Sequence, residues 1–403
     1  MGLGLSAALV LVLAPFCAGC TQTTAATSSN PQHRTATPTP TVVVTGTPTS
    51  AANATPETSL SWSVVTSPSG SGNATNELAS VSCPNSADCW AVGWNLIEQG
   101  TASGWNIVSA PDLPADGTLR SVACTSASDC WAVGYVTPNG GATQPLIEQG
   151  TDSGWTTVSS PSPSGSTDTE LYSVTCASSG NCWAVGYNTA PTGGSQTLIE
   201  QDSGSGWSIV SSPNPAGVHG IFLYGVTCVG PSECWAVGSA GSQTLIEQET
   251  GGGWTIVPGA TPPDSAGAQL VSVSCVSDGD CWAVGYSQAL QVLIEEDTGS
   301  GWNIVDSPDI TAAVSSQLEG VTCDGAGDCW AVGDYSTADG ASEPLLFQEA
   351  GSGWIAASNP NSPGGAENSA LDSVTCASAT ACWAVGSSWE TGGATQTLIE
   401  QGT

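Results

Sequence analysis

After residue 60, short apolar segments alternate with segments rich in glycine, proline, serine and asparagine. Each apolar segment carries β-branched or aromatic side chains and is shorter than an ordinary helix. In the second repeat, the segments cover residues 119–124, 130–135, 146–149 and 155–158, which we name strands A, B, C and D. The pattern therefore predicts an all-β chain of short strands.

This four-strand pattern recurs seven times, around the sequences Val-x-Cys and Cys-Trp-Ala-Val-Gly. Units of this length with four strands are typical of β-propeller blades. The last unit stops at Thr403 without a D strand, and residues 60–68 match the D strands of the other units. We expect the N-terminal strand to complete the last blade. The predicted fold is a seven-bladed β-propeller of four-stranded antiparallel blades over residues 60–403.

The segment before the repeats has two parts. Residues 1–20 hold an apolar stretch that is short for a membrane span, followed by a Cys-Ala-Gly-Cys sequence, as in a signal peptide. The small residues before Cys20 resemble the lipobox of bacterial lipoproteins, which implies that Cys20 is lipidated. Residues 21–59 are rich in Thr, Pro, Ser and Ala and predict a disordered tether. The alternative is an ordinary cleaved signal, which would make the protein secreted rather than anchored.

The charge balance narrows the classes of partner. The chain has 35 acidic residues against Arg34 and Arg120, and its formal net charge is −33. No basic patch can be built, so we predict no nucleic-acid partner and contact with the membrane only through the lipid anchor. A polyanionic ligand would be repelled. The partner should therefore be neutral or basic, or be bridged by a cation such as calcium.

Every unit carries two cysteines, which the predicted A–B turn brings together. The units contain a single histidine, His219, so a metal site in each blade would lack ligands. We predict seven local disulfides, as in exported proteins, with no metal and no cofactor. The predicted pairs are Cys83 with Cys89, Cys124 with Cys130, Cys176 with Cys182, Cys228 with Cys234, Cys275 with Cys281, Cys323 with Cys329, and Cys376 with Cys382.

Two predicted C–D turns, residues 202–207 and 297–302, read Asp-x-Gly-x-Gly-Trp. They resemble the Asp-box of sialidase-type propellers. The Trp-Ala-Val-Gly segment of strand B resembles the propellers of photosystem II assembly factors, which are lipoproteins in cyanobacteria. These resemblances imply the propeller fold. The arginine clusters that serve function in both families do not carry over, because the repeats contain only Arg120.

The tryptophans and glutamates that recur in every unit are expected to be structural. In Cys-Trp-Ala-Val-Gly, the Trp and Val side chains share one strand face and the Ala lies on the other. Neighbouring blades could stack if the strand face with large side chains packs on the face with small side chains of the next blade. Function is expected where the units differ, on the propeller face that carries the variable B–C and D–A loops.

Aromatic residues just after the glycine of strand B are the candidate ligand-binding residues on that face. Flat rings of this kind can stack on a sugar or an extended peptide. They are Trp94, Tyr135, Tyr187, Tyr286, Tyr335 and Trp389. The alternative is that these rings complete the packing of their strands. Trp94 and Trp389 belong to the two blades that closure makes neighbours, so we expect binding near that seam.

The sequence thus predicts a monomeric recognition or scaffold propeller, held outside the cytoplasm at the cell membrane by lipidated Cys20. It would bind a glycan or protein partner without catalytic activity. Two alternatives stay open: a carboxylate-based glycoside hydrolase or lyase, and an assembly factor for an envelope or membrane complex. No acidic pair stands out in the sequence, and no catalytic residue is predicted.

Overall fold

A computed structural model describes residues 60–403 apart from short gaps at 71–74, 111–113, 115, 261–266, 288–290, 325–327, 352 and 361–365. The predicted signal peptide, Cys20 and the tether lie outside the described residues. No helix in the described part of the chain is long and apolar enough to cross a membrane.

Within the described residues, 28 strands form seven four-stranded antiparallel sheets. Blade one contains β2 (Leu78–Asn85), β3 (Asp88–Gly93), β4 (Leu96–Thr101) and β5 (Gly104–Ile107), and blade two contains β6 (Gly117–Ser126), β7 (Asp129–Val136), β8 (Gln144–Thr151) and β9 (Gly154–Val158). Blade three contains β10 (Asp168–Ser178), β11 (Asn181–Thr189), β12 (Ser195–Asp202) and β13 (Trp207–Val210), and blade four contains β14 (Ile221–Gly230), β15 (Glu233–Ala240), β16 (Gln243–Glu249) and β17 (Trp254–Val257). Blade five contains β18 (Ala268–Ser277), β19 (Asp280–Ser287), β20 (Val292–Asp297) and β21 (Trp302–Ile304), and blade six contains β22 (Ala313–Cys323), β23 (Cys329–Thr337), β24 (Ser342–Glu349) and β25 (Trp354–Ala356). Blade seven contains β26 (Asn368–Ser378), β27 (Ala381–Trp389), β28 (Gln396–Gly402) and β1 (Trp62–Val65), and a 3₁₀ turn at Pro138–Gly140 joins β7 to β8.

The first strand closes the ring. β1 pairs antiparallel with β28, with Trp62 opposite Gly402 and Val65 opposite Ile399. The indole of Trp62 is buried against blade six, where it meets Trp330 edge to face at 5.2 Å. The predicted seven-bladed propeller with an N-terminal closing strand is therefore confirmed.

Neighbouring blades stack through one repeated contact. Trp235 and Val237 of blade four lie in one buried cluster with Ala283 of blade five. Trp235 also meets Trp302 of blade five edge to face, with ring centroids 5.5 Å apart. Equivalent clusters join every blade to the next, including blade seven to blade one. The predicted large-on-small packing is thus the core of the molecule.

A disulfide links strands A and B in every blade, and the predicted pairing is confirmed at all seven positions. The two cysteines of each pair are six residues apart in the chain, at the two ends of the turn between these strands. The bonds join Cys83 to Cys89, Cys124 to Cys130, Cys176 to Cys182, Cys228 to Cys234, Cys275 to Cys281, Cys323 to Cys329, and Cys376 to Cys382. Each bond therefore fixes a turn on the face opposite the variable loops.

The turns that resemble an Asp-box lie on the same propeller face as the disulfide-linked turns, and a carboxylate holds each of them. One carboxylate oxygen of Asp202 accepts the backbone N–H groups of Gly204 at 2.9 Å and Gly206 at 3.0 Å. Both glycines have positive φ, which explains their place in this turn. An aspartate therefore fixes the C–D turn on this face in blades three and five.

A buried glutamate on strand C links each of several blades to the loop that precedes it. The hydroxyl of Ser212, after β13 of blade three, donates to the carboxylate of Glu247 in blade four at 3.0 Å. Ser160 donates to Glu200 in the same way. Burial raises the pKa of Glu247 and Glu200 to about 8. The fully buried set is Glu98, Glu148, Glu200, Glu247, Glu295 and Glu400.

Candidate functional site

Every strand A contains a β-bulge at the same place. In blade three, Leu171 pairs with Gly186 and Ser173 pairs with Val185, which leaves Tyr172 without a partner in the ladder. A bulge redirects the extra side chain. Here the seven bulge side chains line a central cavity of about 300 Å³. We name them the bulge ring: Ala79, Arg120, Tyr172, Tyr224, Val271, Glu319 and Asp372.

The residues that flank the bulge ring repeat, whereas the ring itself does not. A buried leucine precedes each bulge residue, and a serine or glycine follows it. Where serine follows, its hydroxyl accepts the backbone N–H of the next blade, as between Ser173 and Val226 at 3.3 Å or Ser272 and Val321 at 3.2 Å. The flanking positions therefore hold the blades together. The bulge position is not fixed by such a contact between blades, and it holds six residue types in seven blades.

One side of the cavity is aromatic. The ring of Tyr172 stacks on Tyr187 at 6.0 Å and meets Tyr224 edge to face at 5.2 Å. Phe222 contacts Tyr187 at 4.9 Å and stacks on Tyr224 at 5.9 Å. We name these four rings, together with Tyr135 of blade two, the aromatic wall; of these rings, Tyr172 and Tyr224 line the cavity itself.

The cation of the propeller rests on this wall. The guanidinium carbon of Arg120 lies 5.6 Å from the ring centre of Tyr135 and 5.8 Å from that of Tyr172. Its Nε is buried, and no described residue accepts a hydrogen bond from it. Cation–π attraction thus holds Arg120, and the wall already accommodates one organic cation.

The other side of the cavity is acidic. Three carboxyl groups from blades one, six and seven line it, and Asp334 of blade six lies close enough to two of them to raise their pKa. We name the four the acidic wall: Glu77, Glu319, Asp334 and Asp372. Burial, aided by Asp334 and opposed by Arg120, raises the pKa of Glu319 to about 7. Burial and then repulsion from Glu77 and Glu319 raise the pKa of Asp372 well above its ordinary range.

The acidic wall contains two kinds of carboxyl group. Asp334 accepts hydrogen bonds from the Gln317 amide at 2.9 Å and from the Ser342 hydroxyl at 2.9 Å. Glu319 and Asp372 accept none from the described residues. Their side chains keep an intermediate exposure because they border the cavity, although protein atoms surround them on their other sides. Two desolvated carboxyl groups therefore face the cavity without a fixed donor.

Three of the predicted ligand-binding residues lie near this cavity. Tyr135 and Tyr187 belong to the aromatic wall. Tyr286 accepts a hydrogen bond from the Gln269 amide, a cavity-lining group, at 2.5 Å. Burial, followed by the charge of Glu319, raises the pKa of Tyr286 to about 12. Tyr286 thus stands between the aromatic and acidic walls.

The other three predicted residues lie elsewhere. Tyr335 pairs with Glu343 in blade six and packs on the cluster between blades five and six. Trp389 lines a separate cavity of blade seven beside Glu390. Trp94 is 48% exposed, and its backbone bridges to Thr118 of blade two. Trp94 is not among the residues that line the Trp389 cavity.

Sequence reasoning missed the bulge ring. The sequence does contain a signal, because strand A reads Leu-x-Ser/Gly-Val-x-Cys in the repeats and the first x changes in size and charge. In a regular strand, that residue would simply alternate with its neighbours. Its projection into the central cavity, which we also call the central channel, depends on the bulge. The bulge arises from pairing with strand B.

Comparison with known proteins gives matches in structure alone. No protein-family model and no curated protein matches the chain. A solved structure of YCF48 bound to D1 peptide is 15% identical, covers 87% of this chain and 99% of its own, and has a TM-score of 0.53. YCF48 from Cyanidioschyzon merolae is 13% identical, covers 84% and 98%, and has a TM-score of 0.52. The WD40 propeller domain of Doa1 is 11% identical, covers 85% and 97%, and has a TM-score of 0.55.

At these identities, the likeness shows the fold. The expected similarity to photosystem II assembly-factor propellers is confirmed at that level, since YCF48 is such a factor. The chain is therefore a seven-bladed β-propeller with a polar and aromatic central channel.

Proposed function

We propose that this chain is a recognition or scaffold propeller that binds a glycan or protein partner at the mouth of its central channel, and that a protein segment is the favoured partner. The observation that carries the proposal is the bulge ring. Its seven positions share one backbone geometry but differ in side chain, so selection for blade packing does not account for them. Varied residues on a rigid scaffold are the usual basis of recognition.

Two further observations favour a protein segment. The cavity is open and combines aromatic rings with carboxylates, which suits side chains of mixed polarity. One propeller of the same fold is described as bound to the D1 peptide. The assembly-factor alternative is a special case of this proposal, in which the bound segment belongs to a membrane complex.

A pair of arrays tests the proposal. The intact protein and a Tyr172→Ala/Tyr224→Ala variant are applied to a peptide array and a glycan array, with Tyr335→Ala as the control for a tyrosine outside the channel. We expect peptide signals that disappear only in the double variant. Signals that survive in the double variant, on either array, would contradict a site in the channel.

A second candidate is a carboxylate-based glycoside hydrolase or lyase. It is favoured by Glu319 and Asp372, because neighbouring carboxyl groups with raised pKa values are a common arrangement for general acid catalysis. Hydrolysis of any glycan on the array, abolished by Glu319→Gln, would favour this candidate. Binding without turnover favours the recognition propeller.

The proposal includes the location of the protein. A lipid on Cys20 and a tether over residues 21–59 would hold the propeller outside the cytoplasm, near the membrane. The seven disulfides fit such an oxidising compartment. We expect Cys20→Ser to release the protein from the membrane fraction into the medium. A variant that stays as membrane-bound as the parent would contradict lipidation at Cys20.

A further inference from the structure

We propose that the channel recognises an organic cation, an ammonium or guanidinium group on a side chain of the bound protein segment. Glu319 and Asp372 would neutralise this cation, and the rings of Tyr224 and Tyr286 would flank it. The inference rests on the proposed function and adds to it the chemistry of the ligand.

The first support is the unbalanced charge of the channel. Three carboxyl groups of the acidic wall line the cavity, Asp334 lies close to two of them, and Arg120 is the one arginine or lysine in the described residues. Arg120 is stacked on the aromatic wall and has an electrostatic effect on both Glu319 and Asp372. With Arg120 alone, the pKa of Glu319 is still raised to about 7 and that of Asp372 is raised well above its ordinary range. A second cation in the same cavity would stabilise the ionised form of both groups.

The second support is the lack of fixed donors. Buried carboxylates normally accept hydrogen bonds from the protein. Asp334 follows this rule through Gln317 and Ser342. Glu319 and Asp372 border the cavity and accept no hydrogen bond from the described residues. An ammonium group carries three donors and a guanidinium five, so either could satisfy both carboxylates at once.

The third support is the arrangement of rings around the acidic wall. Tyr286 lies close enough to Tyr224, Glu319 and Asp334 for their charges to affect its titration. A cation beside Glu319 would therefore lie near tyrosine side chains as well as carboxylates. Arg120, over Tyr135 and Tyr172, shows that the rings of this channel accept such a contact.

Charge elsewhere on the protein agrees with this ligand class. A formal net charge of −33 would draw a basic segment towards the propeller and repel an acidic one. A metal cation is the other charge that carboxylates could take. No group of three or more potential metal ligands is arranged around one point in the described residues. An organic cation, which needs fewer ligands and uses the rings, is the better fit.

Isothermal titration of the intact protein with capped peptides tests the inference. The probes are acetyl-Gly-Lys-Gly-amide, its arginine analogue, and the lysine peptide acetylated on Nε, which keeps the length but removes the charge. We expect the two cationic peptides to bind at least about tenfold more tightly than the acetylated one. n-Butylamine separates the possible sources, because binding as tight as that of the lysine peptide would identify a free amine rather than a protein segment.

The variants are Asp372→Asn and Glu319→Gln, which keep side-chain size and remove the ionisable group. Each should weaken the lysine peptide about tenfold, and the double variant should abolish binding at about 10 mM peptide. Asp152→Asn, an exposed acid in the turn between β8 and β9, removes the same charge far from the channel and should change nothing. The melting temperatures of the channel variants should equal or exceed that of the parent, because each loses a desolvated carboxyl group.

Two results would overturn the inference. One is equal binding of the acetylated and cationic peptides, with loss in Tyr172→Ala, which would leave the proposed recognition function intact. The other is binding of calcium chloride that depends on Asp372 while no cationic peptide binds, which would make the site a metal site. If no probe binds and array signals also survive the Tyr172→Ala/Tyr224→Ala change, the proposed function fails as well.

Discussion

The blade interfaces and the central channel both use residues of the seven strands A, yet they differ in one respect. At the interfaces, every blade supplies the same tryptophan, valine, alanine and leucine, and the contacts repeat around the ring. In the channel, the bulge position changes from Ala79 to Arg120 to Tyr172 and onward to Asp372. The repeated positions therefore hold the blades together, and we propose that the one position freed by the bulge serves recognition.

The largest effect should come from opening the ring. Deleting residues 60–68 removes β1, exposes the edge of β28 and removes the buried Trp62. We expect the free energy of unfolding to fall by more than about 5 kcal/mol, above the cost of one buried tryptophan. The measurement is denaturant unfolding, with deletion of 21–59 as the control. Equal stability of the two truncations would contradict closure through β1.

Disrupting one blade interface should destabilise the propeller less than opening the ring does. Trp235 is buried between blades four and five and meets Trp302 edge to face. Trp235→Ala should destabilise the propeller by about 3–5 kcal/mol in urea unfolding, because the cavity left behind cannot be filled by its neighbours. The matched control is Trp94→Ala, since that indole is half-exposed, and its cost should stay below about 1 kcal/mol. Similar costs for both substitutions would mean that the interfaces are not the stabilising core.

The buried glutamates predict how stability depends on pH. Burial raises the pKa of Glu247 from 4.5 to about 8, so the folded protein holds a proton there that the unfolded chain releases. The stability from this proton is complete below pH 4.5 and is lost as the pH rises towards 8. We expect the melting temperature to fall between about pH 5 and pH 8.

Glu247→Gln keeps an acceptor for the Ser212 hydroxyl and removes the ionisable group. It should make this fall smaller, with the remainder due to the other buried glutamates, and raise stability at about pH 8 by on the order of 2 kcal/mol. Glu233→Gln, at an exposed position of the same blade, should leave the pH profile unchanged. A variant at Glu247 that keeps the parent profile would show that this carboxyl group does not carry the pH dependence.

Much of the fold, but only part of the candidate site, could be predicted from the sequence. Blade count, closing strand and disulfides could be predicted because each depends on local spacing that repeats seven times. The packing of Trp235 followed from strand alternation alone. Tyr135 and Tyr187 were found as candidates because they follow a conspicuous glycine in strand B.

The bulge ring could not be predicted in the same way. Tyr172 and Asp372 reach the channel through a register shift between two strands, and no rule of alternation places them there. The acidic wall is a second example, since Glu77, Glu319 and Asp372 are far apart in the chain and meet only after the ring closes. Proximity of this kind depends on topology rather than on local sequence.

The most direct test of the account compares Tyr172→Ala with Trp389→Ala. Tyr172 belongs to the bulge ring, whereas Trp389 lines the separate cavity of blade seven. The affinity of the strongest peptide from the array is measured for both variants and the parent. We expect Tyr172→Ala to weaken binding about tenfold and Trp389→Ala to leave it unchanged. Loss in Trp389→Ala alone would place recognition at the rim of blade seven and contradict a site in the channel.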